Sequence, residues 1–189
     1  MRMTYFKHLP SLNTEPYTKY FLDTFIPKNE FNEKKGISLY VQYFKKEFYT
    51  DPMIMLLDST LQQKYNFPPI EYFSIFKHGS PQPIHHDGIK IPRYVSLNLP
   101  LSGFESTKMI FYKIIGNIFP TIKDANYYLP ETVEPVVELE GSNEWVLVDS
   151  SIPHNITNVD FNNPRFTLCI RFASNTTIDQ LLSNINGPL

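Results

Sequence analysis

The chain has 189 residues, of which 42% are hydrophobic and 15% aromatic, with a formal net charge of −2. This length and apolar content favour one globular domain with a sizeable core and argue against disorder. The 17 lysines and arginines are scattered and form no basic stripe, so nucleic-acid binding is not indicated.

Three features predict a soluble cytoplasmic protein. The first ten residues contain no apolar segment of the kind found in signal peptides. The longest apolar run, Met53 to Leu57, is too short to cross a bilayer. The single cysteine, Cys169, rules out an internal disulfide and fits a reducing compartment, where we expect it to be a small core residue.

The first third of the chain predicts two helices and one strand. Apolar residues recur at three- and four-residue spacing over Pro16–Ile26 and Asp51–Tyr65, and Asp51-Pro52 fits an N-cap followed by a first-turn proline. Between the helices, Ile37–Phe44 alternates well enough to be a strand.

From residue 70 onward, frequent prolines favour short strands joined by ordered loops. Eight candidate strands follow one another: Ile70–Phe76, Ile84–Asp87, Tyr94–Leu99, Lys108–Ile115, Val136–Leu139, Glu144–Asp149, Ile152–Thr157 and Arg165–Phe172. Such a series predicts an antiparallel sandwich or barrel.

The tail predicts a last helix, Thr176–Asn186, with Thr176 as its cap, Asp179 three residues later, and Gly187-Pro188 as its stop. We therefore predict a single domain, 1–189. Residues 1–69 form a helical and mixed N-terminal part, 70–173 the β core, and 174–189 the C-terminal helix.

The strongest chemical signal is His85-His86-Asp87. Alternate residues of a strand face the same side, so His85 and Asp87 point together while His86 points away. His-x-Asp alone is more often a surface turn than a metal site. A second imidazole from a distant strand would complete the facial triad of non-haem Fe(II) oxygenases, and His154 is the one histidine downstream.

The segments Trp145–Asn158 and Asn163–Phe172 add a recognisable context. Together with His-x-Asp they resemble the 2-oxoglutarate/Fe(II)-dependent dioxygenases, over residues 70 to 173. In that superfamily an arginine about ten residues after the second metal histidine opens the last barrel strand, and Arg165 follows His154 by 11 positions. The resemblance implies a mainly β protein with flanking helices and a double-stranded β-helix (jelly-roll, cupin-like) core.

Within the superfamily, Leu97–Leu101 and Pro153–Asn158 are most similar to the aspartyl/asparaginyl and proline hydroxylase branches. Some aspartyl/asparaginyl hydroxylases lack the acidic metal ligand. Because Asp87 is present, this chain departs from them.

The resemblance implies that Arg165 and Thr167 bind the distal carboxylate of 2-oxoglutarate. A planar guanidinium suits this role because it forms two parallel charge-assisted hydrogen bonds with a carboxylate. Arg171 shares the strand face but lies roughly 20 Å along the strand, so only one of the two arginines is expected to serve the co-substrate.

On the third core strand, Tyr94, Ser96 and Asn98 share one face. A polar stripe inside a barrel is costly unless it meets a ligand, water or metal. Ser96 and Asn98 therefore contact 2-oxoglutarate or substrate, or else the stripe faces solvent. We interpret His78 and His86 as ordinary residues of loops and of the surroundings of the site, without a direct role in binding the metal.

The sequence thus predicts an oxygenase that uses Fe(II), held by His85, Asp87 and His154, together with 2-oxoglutarate and dioxygen. Its substrate would be an amino acid, a peptide side chain or another small molecule, selected by the loops Pro100–Lys108 and Ile115–Pro135. Two alternatives remain. A cupin-type isomerase or lyase would use Mn, Ni or Zn without needing Arg165-x-Thr167, and a non-catalytic module would keep the barrel only as a scaffold.

Overall fold

A computed structural model describes residues 4–28, 39–45, 51–87, 95–116, 125–173 and 175–186. Its strands are β1 (Phe6–His8), β2 (Leu39–Lys45), β3 (Tyr72–His78), β4 (His85–Asp87), β5 (Val95–Ser102), β6 (Lys108–Ile114), β7 (Ala125–Tyr127), β8 (Val133–Glu140), β9 (Val146–Asp149), β10 (His154–Thr157) and β11 (Arg165–Arg171). The helices are α1 (Glu15–Tyr20), α2 (Ile26–Lys28), α3 (Pro52–Tyr65) and α4 (Ile178–Asn186). A π-helical turn, Phe21–Phe25, joins α1 to α2, and a 3-10 turn, Pro130–Thr132, precedes β8.

The strands form two antiparallel sheets. One has six strands in the order β1-β9-β5-β11-β3-β2, and the other has five in the order β7-β4-β10-β6-β8. The sandwich predicted from the sequence is therefore confirmed. Tyr94 and the first residues of the predicted strand Ile37–Phe44 lie outside the described residues.

Alternate residues along the strands of the six-stranded sheet point to opposite faces, one of which packs on the apolar core and the other of which lines a cavity. On β11, Leu168 and Ile170 join the main apolar core, and on β5 Leu97 and Leu99 do the same. This core also contains buried residues of α1, α3 and α4, so the helices cover that face. The alternate residues of both strands point to the opposite face, toward the five-stranded sheet. A second apolar cluster, including Phe111 of β6 and Val148 of β9, packs between the sheets.

Helix α3 begins and ends as its sequence predicts. The Asp51 side chain accepts hydrogen bonds from the backbone N–H groups of Met53 and Ile54, at 2.9 and 3.2 Å. Pro52 occupies the first turn, and Asn66 ends the helix in the left-handed region with φ of 52°.

Three local predictions were wrong. The cap of α4 is formed by Thr177 and Gln180, which exchange side-chain to backbone hydrogen bonds, not by Thr176 and Asp179. The predicted core of eight strands lacks β1 and β7, which have three residues each. The proposed loop Pro100–Lys108 begins inside β5, and the loop Ile115–Pro135 contains β7 and the start of β8.

Within the described ranges, no helix combines the length and apolar content needed to cross a bilayer.

Candidate active site

A cavity lies between the two sheets, and its wall contains every site residue predicted from the sequence. These residues are His85, Asp87, Ser96, Asn98, His154, Arg165 and Thr167. They come from β4, β5, β10 and β11. Strands far apart in the sequence thus bring the predicted residues to one place.

His85 and His154 face each other across neighbouring strands. They are register partners in the β4–β10 pair, and their ring centroids lie 4.8 Å apart. The Nδ1 atom of His85 lies 2.9 Å from the carbonyl oxygen of Pro83, and that of His154 lies 2.8 Å from the carbonyl oxygen of Ile152. Because a carbonyl only accepts, Nδ1 carries the proton in the neutral form of each ring, and the lone pair is then on Nε2. This is the tautomer of a histidine that binds metal through Nε2.

The environment of His154 keeps its ring neutral. Burial, and then the neighbouring imidazole of His85, lower the pKa of His154 to about 4. A metal-binding imidazole must be unprotonated, so the ring is in the required state at neutral pH.

Asp87 lies between the imidazole pair and a buried arginine. Its Oδ1 is 3.8 Å from His85 Nε2, and its Oδ2 accepts a 2.6 Å hydrogen bond from the guanidinium of Arg171. Burial acts to raise the pKa of Asp87, but Arg171 and the two imidazoles lower it to about 2. The carboxylate is therefore ionised, with one oxygen bound to Arg171 and the other directed toward the histidines.

Two imidazoles and a carboxylate form a suitable donor set for Fe(II). Adjacent ligands with bond lengths of about 2.1 Å at right angles lie about 3 Å apart, so the 3.8 Å between His85 and Asp87 must shorten by roughly 0.8 Å. Among the described residues, no three His, Cys, Asp or Glu side chains already enclose a metal position. The residues fit the metal by their chemistry and by their place in one cavity.

Arg171 orients Asp87 from the opposite sheet, a role that the sequence did not indicate. Its Nη1 donates to Ser150 Oγ at 2.7 Å and to the carbonyl oxygen of Val95 at 3.4 Å, while its Nη2 binds Asp87. These bonds fix the guanidinium, and thereby the carboxylate, at the histidine end of the cavity.

Arg165 is buried with neutral partners. Its Nε donates to Thr167 Oγ1 at 3.1 Å and its Nη1 donates to Thr107 Oγ1 at 2.9 Å. Within the described part of the chain, no carboxylate forms an ion pair with it. Burial lowers the pKa of Arg165 to about 10, so the group stays charged at neutral pH. A buried cation without a counterion is costly, and it marks this end of the cavity as an anion site.

Ser96 and Asn98 settle the alternative left open by the sequence. Both are buried and line the cavity, so the polar stripe does not face solvent. The side-chain oxygen of Asn98 has no hydrogen-bond partner among the described residues. An unsatisfied buried acceptor indicates a place for a ligand or water.

The prediction for His78 was wrong. It is not a loop residue but the last residue of β3, it is 2% exposed, and it lines the cavity. His86 points away from the cavity, as expected, and its Nδ1 forms a hydrogen bond with the hydroxyl of Tyr128. Thr107 was also missed, because it joins the site through a contact with Arg165, which lies 58 positions away in the sequence.

No protein-family model and no curated protein sequence matches this chain. Among solved structures it is similar to the epimerase SnoN in complex with Fe3+, alpha ketoglutarate and nogalamycin RO, with 13% identity, a TM-score of 0.57, and coverage of 93% of this chain and 84% of that one. It is also similar to HygX from Streptomyces hygroscopicus with nickel, 2-oxoglutarate and hygromycin B bound, with 11% identity, a TM-score of 0.54, and coverage of 92% and 85%.

A weaker likeness is to vicilin from Corylus avellana, with 9% identity, a TM-score of 0.40 and coverage of 78% of this chain. The chain spans 32% of the length of that protein. At these identities the likenesses to SnoN and HygX show the fold alone. The protein has a double-stranded β-helix, a jelly-roll of the cupin type with flanking helices.

Proposed function

We propose that the protein is an Fe(II)- and 2-oxoglutarate-dependent oxygenase. His85, Asp87 and His154 would hold the metal, and Arg165 with Thr167 would bind the distal carboxylate of 2-oxoglutarate. The observation that carries the proposal is the buried guanidinium of Arg165, which shares one cavity with the two Nε2 lone pairs and the Asp87 carboxylate. A metal-chelating diacid would interact with both ends of such a cavity.

The ligand-bound relatives support this assignment. SnoN was solved with iron and alpha ketoglutarate, and HygX with nickel and 2-oxoglutarate. When bound, iron would supply the activation of dioxygen, coupled to the oxidative decarboxylation of 2-oxoglutarate.

The chain's own residues would provide binding, orientation and exclusion of water. Arg165 and Thr167 would fix the co-substrate at its distal end, and Ser96 and Asn98 would contact it or the substrate. Met109, Val148 and Ile156 supply apolar wall between these polar groups, which keeps the cavity poor in water and strengthens the charged interactions. Positioning a reactive C–H bond against the metal is the expected contribution of such a pocket to catalysis.

For the substrate we propose an amino acid, a peptide side chain or another small molecule, with hydroxylation as the outcome. Hygromycin B and nogalamycin RO, which HygX and SnoN bind, support a small molecule. We further propose that the protein acts in the cytoplasm, without nucleic-acid or membrane partners.

The test is co-substrate turnover. Protein loaded with Fe(II) under anaerobic conditions is mixed with 2-oxoglutarate and oxygen, and succinate is measured. We expect succinate in the presence of iron and oxygen and its absence without either, with stimulation by a substrate found in a panel of amino acids, peptides and glycosides. Failure of the protein to bind iron, or of the iron-loaded protein to bind 2-oxoglutarate, would refute the proposal.

We expect Arg171→Met to weaken metal binding by about 10–100-fold, the usual cost of losing a residue that orients a metal ligand. It should also lower the free energy of unfolding by about 1–3 kcal/mol, because the partly buried carboxylate of Asp87 would lose its charged partner. Nickel titration and urea unfolding measure the two effects.

The matched control is Lys108→Met. Lys108 is also ion-paired, at 2.9 Å from Glu138 and from Glu140, but at the surface, where such pairs contribute little. Wild-type nickel affinity in Arg171→Met would show that Arg171 does not position the carboxylate.

A further inference from the structure

We propose that His78 is a second residue for recognising the distal carboxylate of 2-oxoglutarate, to which it donates a hydrogen bond through Nδ1–H beside Arg165. This inference rests on the proposed function and adds a residue that distinguishes a diacid from a simple 2-oxo acid.

The position of His78 places it beside the anion site. His78 is the register partner of Arg165 in the β3–β11 pair, and it lines the same cavity as Arg165 and Thr167. Side chains of directly opposed residues lie about 4.5–5.5 Å apart at Cβ. Both groups can therefore reach one carboxylate.

The ring of His78 is buried, it stacks against a neighbouring ring, and one of its nitrogens has no hydrogen-bond partner among the described residues. The residue is 2% exposed, and its Nδ1 has no hydrogen-bond partner among the described residues. Its ring lies parallel to that of Phe76, with an interplanar angle of 3° and a centroid separation of 5.7 Å. A buried polar atom without a partner is rare and requires an explanation, and a ligand in the adjoining cavity supplies one.

His78 is uncharged, so it can donate a hydrogen bond to a carboxylate without adding a second positive charge beside Arg165. Burial, then the positive charge of Arg165, lower the pKa of His78 to about 3, so the ring is neutral at physiological pH. A neutral imidazole carries one N–H, and a carboxylate is its natural acceptor. Two nitrogens of the Arg165 guanidinium already donate to threonine hydroxyls. An extra donor would therefore help to satisfy the four lone-pair sites of a carboxylate.

The competing explanation is that His78 only fills the core beside Phe76. Two variants separate these roles. His78→Phe keeps the ring and its packing but removes the N–H. His78→Asn places an amide N–H near the position of Nδ1 but loses the ring.

The experiment measures ligand binding and does not depend on turnover. Nickel-loaded wild-type protein and both variants are titrated calorimetrically, without oxygen, with 2-oxoglutarate and with pyruvate, which lacks the distal carboxylate. We expect His78→Phe to weaken 2-oxoglutarate binding by about 10-fold or more, the contribution of a hydrogen bond to a charged group. Pyruvate and nickel binding should stay at wild-type levels, and His78→Asn should recover most of the 2-oxoglutarate affinity.

Equal 2-oxoglutarate affinity in His78→Phe and wild type would overturn the assignment of His78 alone. An equal loss of 2-oxoglutarate and pyruvate affinity would also overturn it, since it would indicate a general packing defect. If wild-type protein binds nickel but no 2-oxoglutarate, the proposed function itself fails. Should His78→Phe not fold, His78→Met replaces it as the variant without a donor, and the same comparisons with His78→Asn apply.

Discussion

Replacement of His154 by alanine is expected to reduce the affinity for Fe(II) or Ni(II) on the order of 100-fold or more, and to abolish succinate formation. The reason is geometric. His154 is buried on β10, it is held by the Ile152 carbonyl with Nε2 free, and its ring lies 4.8 Å from that of His85. Without it, two protein ligands remain, too few to fix the metal. Metal content after desalting and nickel titration measure the effect.

The control is His86→Ala. His86 precedes Asp87 in the same strand but contacts Tyr128 on the other side, so its loss should leave metal affinity near wild type. Stoichiometric, tight metal binding by His154→Ala would show that the metal is bound elsewhere in the protein. Loss of metal in both variants would instead indicate general damage to β4 and β10.

Replacement of Arg165 by methionine is expected to weaken 2-oxoglutarate binding by about 100-fold or more, equivalent to about 2.8 kcal/mol. Metal affinity should remain within about twofold of wild type, because Arg165 contacts Thr167 and Thr107 and none of the proposed metal ligands. Calorimetry with nickel-loaded protein separates the two quantities.

We expect the loss of Arg165 not to lower the thermal stability of the protein, although the residue is buried. Among the described residues Arg165 has no acidic partner, so removing it eliminates a desolvated charge without exposing another. We expect Arg165→Met to unfold at the same temperature as wild type or a higher one. Lys77→Met is the matched control, since Lys77 is a cation on the neighbouring strand that lies over the Phe166 ring. Its loss should leave 2-oxoglutarate affinity unchanged.

The same variant distinguishes the proposed oxygenase from its alternatives. A cupin-type isomerase or lyase would keep its metal-dependent activity without Arg165. A non-catalytic scaffold would bind neither metal nor diacid in the wild type. Metal-dependent turnover that persists unchanged in Arg165→Met would therefore favour the isomerase or lyase.

The placement of the candidate site could be predicted from the sequence because strand geometry is simple. A period of two places His85 and Asp87 on one side, and it places Arg165 and Thr167 together on another strand. The antiparallel sandwich or barrel followed from the series of short strands between prolines, and the double-stranded β-helix from the family resemblance. Which groups bind metal and 2-oxoglutarate stays a prediction.

The site residues that could not be predicted from the sequence are those whose contacts depend on which strands become neighbours. Arg171 meets Asp87 across 84 positions, and Arg165 meets Thr107 across 58. His78 becomes the partner of Arg165 only because β3 pairs with β11. No local pattern encodes these pairings, since they arise from the order of strands in the sheet. The cap of α4 is not encoded locally for another reason, because Thr176 and Thr177 are adjacent and equally good caps, and the structure buries Thr176.

Both arginines of the cavity project from the same strand, β11, of which they are the first and last residues, with five residues between them. The length of this strand therefore sets the distance between Arg171, which orients the Asp87 carboxylate, and Arg165, which lies at the anion site. An inserted or deleted residue between them would turn one guanidinium onto the helix-covered face. We therefore expect the length of this segment to be invariant in any descendant that keeps the chemistry, while the connections between the sheets remain free to vary.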